Sequence, residues 1–148
     1  MVTRHSKWVQ DLGRTLDYLE SRGDVDLTRT GYMGLSMGAR MAPLLVAAEE
    51  RFKVAILIAG GMSLDQTTAS VTPRVDIPVL MLSGTYDYVF PVETRQKPLF
   101  DYLGTPLEHK RHALFEAGHL PLPRGEMIRE ILDWLDRYQN PVVRSRGQ

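Results

Sequence analysis

The stretch Thr30-Gly31-Tyr32-Met33-Gly34-Leu35-Ser36-Met37-Gly38-Ala39-Arg40 decides how the chain is read, because within it a short apolar run turns into a helix-like pattern. Gly34-Leu35-Ser36-Met37-Gly38 is a Gly-x-Ser-x-Gly motif at that junction. A strand that turns this sharply into a helix holds its serine in a strained backbone conformation, and glycines are expected on both sides because a Cβ there would strike the neighbouring strand or helix. The hydroxyl then projects at a helix N-terminus, where backbone N–H groups and the helix dipole favour a developing oxyanion. Ser36 is therefore the candidate nucleophile. At about 7% usage for each residue, chance alone produces the pattern in roughly one chain in twenty of this length, so its partners must decide.

Working outward, Trp8, Leu12, Leu16 and Leu19 fall at helical spacing and predict an amphipathic helix over 5–22, stopped by Gly23. Residues 24–29 read as a turn and 30–35 as a buried strand. After Ser36 a helix is expected to about Glu50, through Met41, Leu44, Leu45 and Val46, with Pro43 tolerable because it falls near the first turn. The runs 54–59 and 77–82 are continuously apolar and end in Gly60-Gly61 and Ser83-Gly84. Continuous rather than alternating apolarity implies strands covered on both faces, hence a parallel sheet between helices. Residues 62–76 read as a loop, 92–103 as a helix and 109–115 as a strand. The last helix, 125–139, is expected to bury Ile128, Ile131, Leu132 and Leu135 with Trp134 and Tyr138, before a frayed end at 141–148. The expected fold class is α/β: a single-domain, three-layer sandwich of about four parallel strands joined by right-handed crossovers.

Composition narrows the function. The 148 residues balance 18 Lys and Arg against 18 Asp and Glu, which gives no basic field for nucleic acid and no acidic excess for cationic partners. Absence of cysteine removes disulfides, thiolate catalysis and cysteine-based zinc sites together, and leaves the compartment undetermined. No apolar run approaches the roughly 20 residues that cross a bilayer, and the N-terminus lacks an apolar signal-peptide core. A soluble protein acting on a neutral or modestly polar small molecule is the expectation, with no membrane partner.

A serine needs a base within hydrogen-bond reach, itself oriented by a carboxylate. Parallel strands deliver their carboxyl ends to one edge, so both partners should follow strand ends. Asp87, in Ser83-Gly84-Thr85-Tyr86-Asp87-Tyr88-Val89-Phe90-Pro91, follows the run 77–82; His119, in Glu116-Ala117-Gly118-His119-Leu120-Pro121, follows the run ending at Phe115. The order Ser36, Asp87, His119 is the one expected when nucleophile, acid and base sit on successive strands.

With these pieces the chain resembles the C-terminal half of an α/β-hydrolase, similar to dienelactone-hydrolase-like and prolyl-oligopeptidase-like esterases. The resemblance covers nearly the whole chain and rests on Gly34-Leu35-Ser36-Met37-Gly38, the segment 84–91 and Gly118-His119. It implies a truncated α/β-hydrolase in which Ser36 attacks, His119 shuttles the proton and Asp87 holds the imidazolium. No metal or organic cofactor is required. The family's first four strands have no counterpart, and with them goes the loop that supplies one oxyanion-hole donor; the backbone N–H of Met37 remains. Losing one donor costs about 2.7 to 4 kcal/mol of transition-state stabilisation, unless the Gly60-Gly61-Met62 turn or a neighbouring chain substitutes. The nucleophile strand would also become a sheet edge, which invites pairing. A homo-oligomer, most simply a dimer, is expected, or coverage by the rest of a longer parent chain.

Other residues have plainer readings. Asp87 could be a simple turn former, with Asp65 as substitute acid. His5, His109 and His112 carry no motif and read as surface or partly satisfied residues. Met33, Met37, Met41 and Met62 could line an acyl pocket or simply fill the core; Met37 and Met62, with Tyr88, are the expected substrate-side neighbours. Tyr86 and Phe90 flank the acid. The favoured function is a serine carboxylesterase for small, short-acyl esters, with peptidase or thioesterase activity as variants. A non-catalytic interaction or assembly domain derived from a hydrolase is the alternative.

Overall fold

The computed structural model describes residues 4–139. Helix α1 (Arg4–Arg22) leads through a 3-10 turn to strand β1 (Gly31–Leu35), then come α2 (Met37–Ala47), β2 (Val54–Ile58), α3 (Gln66–Val71), β3 (Val79–Gly84), α4 (Lys97–Tyr102), β4 (Lys110–Phe115) and α5 (Arg124–Gln139). The four strands form one sheet in the order β1-β2-β3-β4, every pair parallel.

The continuous apolar runs make two cores, because successive side chains of a strand point to opposite faces. Ala55, Leu57, Val79 and Met81 pack with Leu16 of α1, Ala39, Ala42 and Val46 of α2, and Leu99 of α4. Val54, Ile56, Ile58, Leu80 and Leu82 pack with Trp134 of α5. One face of the sheet thus receives three helices and the other receives α5.

That asymmetry explains a departure from the expected burial. Four strands spaced about 4.8 Å apart are wider than one helix of about 10 Å diameter, so α5 covers the middle of its face and leaves β1 open. Ile128 and Leu132 of α5, expected to be buried, are exposed, as are Met33 (56%) and Leu35 (53%) of β1. Met33, Leu35 and Ile128 line an apolar groove of about 590 Å³ together with Ile58, Leu120 and Met127. The backbone of β1 is open too. The Ser36 N–H donates to the Ile58 carbonyl and the Lys53 N–H to the Thr30 carbonyl. Because strand amides alternate in direction, those of Gly31, Met33 and Leu35 face away from β2.

Element boundaries also differ from the sequence reading. Helix α2 stops at Ala47, not near Glu50, and Pro43 lies inside it instead of in its first turn. Burial of Ala42, Pro43 and Val46 compensates for the missing backbone donor. Within the expected loop 62–76, α3 forms because the Asp65 side chain caps it, accepting from the Thr68 N–H at 2.8 Å. The expected helix over 92–103 is a π-turn (Val92–Gln96) followed by the shorter α4. The surroundings of the His5 side chain and the expected frayed end at 141–148 lie outside the described residues.

Candidate active site

Ser36 caps α2 with φ 50° and ψ −103°, a left-handed φ that non-glycine residues avoid. Two contacts hold it there. The Ser36 N–H is tied to Ile58, and the Tyr32 hydroxyl donates to the Gly38 carbonyl at 2.8 Å, stapling strand to helix across the turn. The glycine requirement is one-sided. A Cβ on Gly34 would lie 2.5 Å from the Gly38 carbonyl carbon, whereas one on Gly38 would meet nothing closer than the Tyr32 hydroxyl at 3.8 Å. The first bond of the helix runs from the Arg40 N–H to the Ser36 carbonyl. The N–H groups of Met37, Gly38 and Ala39 therefore have no acceptor within α2 and lie at its positive end.

Asp87 is buried in the turn after β3. Its Oδ1 accepts from the N–H groups of Val89 at 2.8 Å and Phe90 at 2.9 Å, and its Oδ2 accepts from His119 Nδ1 at 2.9 Å. His119 belongs to the loop after β4, which is fastened to the Asp87 turn by Thr85 N–H to Phe115 carbonyl (2.8 Å) and Tyr86 N–H to Ala117 carbonyl (2.9 Å). The two loops press together at Gly84, where an added Cβ would collide with the carbonyls of Ala117 and Gly118. The Phe90 ring sits 5.8 Å from the His119 ring. His119 Nε2 lies 2.8 Å from Ser36 Oγ. A carboxylate only accepts, so Nδ1 carries the ring proton, and in the neutral imidazole Nε2 is the acceptor for the Ser36 hydroxyl.

The three residues that the sequence singled out are thus brought into one hydrogen-bonded chain. Chemically, it can withdraw the Ser36 proton toward His119 while the exposed end of α2 offers donors to negative charge. The expected neighbours fare differently. Met62 is 8% exposed and sits in the core beside α2 and α4, so it is not open to a bound molecule. Its N–H donates to the Arg95 carbonyl at 2.8 Å and is not free to complete an oxyanion hole. Met37 and Tyr88 are exposed, Tyr88 at 83%. Asp65 directs its carboxylate to Thr68 and Ser63 in the cap of α3. His109 meets the Tyr138 hydroxyl at 3.0 Å. His112 stacks on Phe100 with Nε2 buried and unpartnered, and burial pushes its pKa down to about 4. Among the described residues no group of three or more His, Asp or Glu side chains could hold a metal ion. The sequence reading set turn formation by Asp87 against its role as acid, and the structure shows one carboxylate doing both: Oδ1 holds the turn and Oδ2 faces His119.

Comparison with known proteins adds a family. The dienelactone hydrolase family profile matches residues 1–118. No curated protein matches the chain. Among solved structures, a novel cold-adapted esterase from an Arctic intertidal metagenomic library, in its zinc-bound structure, superposes with a TM-score of 0.77 at 28% identity, over 88% of this chain and 57% of that one. Acetyl xylan esterase from Paenibacillus sp. R4 shares the fold with a TM-score of 0.71 at 18% identity, over 90% and 53% of the two chains. The chain spans little more than half the length of these structures.

Proposed function

The chain belongs to the dienelactone hydrolase family, and from that premise we propose that it is a serine carboxylesterase acting on small, short-acyl esters. The observation that carries the reading is the continuous chain of hydrogen bonds from Ser36 Oγ through His119 to Asp87. Ser36 Oγ attacks the ester carbonyl carbon as His119 Nε2 takes its proton. The Met37 N–H, at the start of α2, donates to the tetrahedral oxyanion. Collapse breaks the carbon–oxygen bond to the alcohol, which leaves with the proton from Nε2. Water then enters, gives a proton to Nε2 and adds to the acyl carbon. Ser36 departs with that proton, releasing the acid. Asp87 keeps Nδ1 protonated and facing it throughout.

The test is hydrolysis of p-nitrophenyl esters of increasing acyl length by the parent and by Ser36→Ala, with covalent labelling by an organophosphate. Turnover and labelling in the parent, both lost in the variant, are expected. A folded parent with neither would favour the non-catalytic assembly domain, and turnover unchanged by the substitution would remove Ser36 from the mechanism.

We further propose that the chain associates with itself through β1. The strand offers outward-facing backbone groups beside the exposed apolar side chains Met33, Leu35, Ile128 and Leu132, and an open, apolar sheet edge invites pairing with another chain. Antiparallel pairing of two β1 edges about a twofold axis normal to the sheet sets both apolar grooves on the same side, facing one another. One surface thereby serves both copies.

A further inference from the structure

We propose that Gln96 is the residue that positions Asp87, an inference that rests on Asp87 being the acid of the site. Gln96 is completely buried, and its side-chain amide lies against the turn that carries Asp87. Its Nε2 donates to the Gly84 carbonyl at 3.2 Å and to the Phe90 carbonyl at 2.6 Å. Those two carbonyls bracket Asp87, one on each side, and Gly84 also accepts from the Asp87 N–H at 3.3 Å. Phe90 is the stronger link. Its N–H binds Asp87 Oδ1 and its ring lies beside His119, so anchoring Phe90 orders both members of the pair at once.

The backbone brings Gln96 there by an irregularity. Both the Arg95 and Gln96 N–H groups reach the Pro91 carbonyl, at 2.9 and 3.3 Å, which makes 92–96 a π-turn ahead of α4. One extra residue turns the following side chains by about 100° relative to a regular helix, and π-turns recur at functional sites. The same turn is stitched to the loop after β2 through Arg95 and Met62.

The other half of the amide argues against a packing role. Gln96 Oε1 is buried without a hydrogen-bond partner, an arrangement that costs stability. Methionine has similar length and would fill the same space without that cost. Both nearby atoms are carbonyl oxygens, so the amide must present its nitrogen to them. It is the two donors that distinguish glutamine here.

The experiment is a double-mutant cycle between Gln96→Met and Asp87→Asn, reading kcat and KM on a p-nitrophenyl ester and thermal midpoints in parallel. Alone, Gln96→Met should lower kcat by about tenfold to a hundredfold, the scale of a small misplacement in a catalytic array, with KM little changed. In the Asp87→Asn background it should have almost no further effect, because the residue it acts through is already disabled. Multiplicative losses in the double variant, or kcat unchanged by Gln96→Met, would overturn the proposal. An unimpaired Asp87→Asn would instead overturn the reading of Asp87 itself. If Gln96→Met fails to fold, Gln96→Glu enters the same cycle. Failure of both to fold would make Gln96 a structural residue and end the assignment.

Discussion

Gly34 and Gly38 are unequal partners in the turn around Ser36: a Cβ on Gly34 has its nearest atom at 2.5 Å, in the backbone of Gly38, and one on Gly38 has 3.8 Å of clearance. The motif's two glycines therefore answer to different constraints. Gly34→Ala should destabilise the fold by about 1–3 kcal/mol or more and abolish esterase turnover by displacing α2. Gly38→Ala, at a helical position, should be neutral or stabilising by about 0.5–1 kcal/mol. Urea denaturation of the two variants distinguishes them, and equal damage from both would contradict the geometry.

Asp87→Asn replaces the acceptor facing His119 Nδ1 with a group that can present N–H instead. The imidazole then favours the tautomer with its proton on Nε2, which cannot receive the Ser36 proton. If the proposed mechanism holds, kcat should fall by about 10⁴, the loss known for the same substitution in a serine protease triad, with an unchanged thermal midpoint. A loss of less than tenfold would mean that another group orients His119.

His112 sets a pH dependence of stability. Burial holds its folded pKa at about 4, against an ordinary value of 6.5. Between those values the unfolded chain binds a proton that the folded chain refuses. Its contribution is therefore fully present above about pH 6.5 and declines as pH falls toward 4, by about 1.4 kcal/mol per pH unit at most. Glu49 and Glu130, held low by hydrogen bonds from Arg51 and Arg111, add their losses only below their ordinary value of 4.5. Guanidinium titrations from pH 7.5 to 5 should slope downward in the parent and lie flatter in His112→Leu.

Tyr32 and Gly38 give a narrower test. Tyr32→Phe removes the 2.8 Å bond between strand and helix while leaving the ring against Phe52. A cost of about 0.5–1.5 kcal/mol is expected. A larger proportional loss in organophosphate labelling rate would place the bond's effect at Ser36 itself.

The β1 surface predicts a dimer at micromolar concentration that Met33→Lys converts to monomer, by putting a charge into the apolar contact. Light scattering reads the difference. A monomeric parent would remove self-association and leave coverage by another polypeptide segment as the role of that face.

Much of this was legible because it depends on short-range rules. The continuous apolar runs at 54–59 and 77–82 read as doubly covered strands, which the structure places at Val54–Ile58 and Val79–Gly84, and the positions after them meet at one sheet edge. What was hidden depends on the third dimension. Nothing in Met62 distinguished a wall residue from a core residue until α2 and α4 were packed around it. Ile128 and Leu132 have the period of a buried stripe, and only the width of the sheet beneath α5 exposes them. The polar segment Gln66–Val71 disguised a helix whose one buried side chain is a threonine, Thr68. Gln96 carried no signal at all, since its role arises from an irregular turn that propensity does not encode.

His119 follows the outermost strand, β4, yet bonds to Ser36 at the end of β1, on the opposite edge of the sheet. Its loop must arch over the ends of the two strands between, and the 2.8 Å contact joins residues separated by 83 positions in the chain. Such a bond can close only after every intervening strand has taken its place. Under the proposed function, esterase turnover should return later than helical ellipticity during refolding, and the interval between the two signals would time the arrival of that last loop.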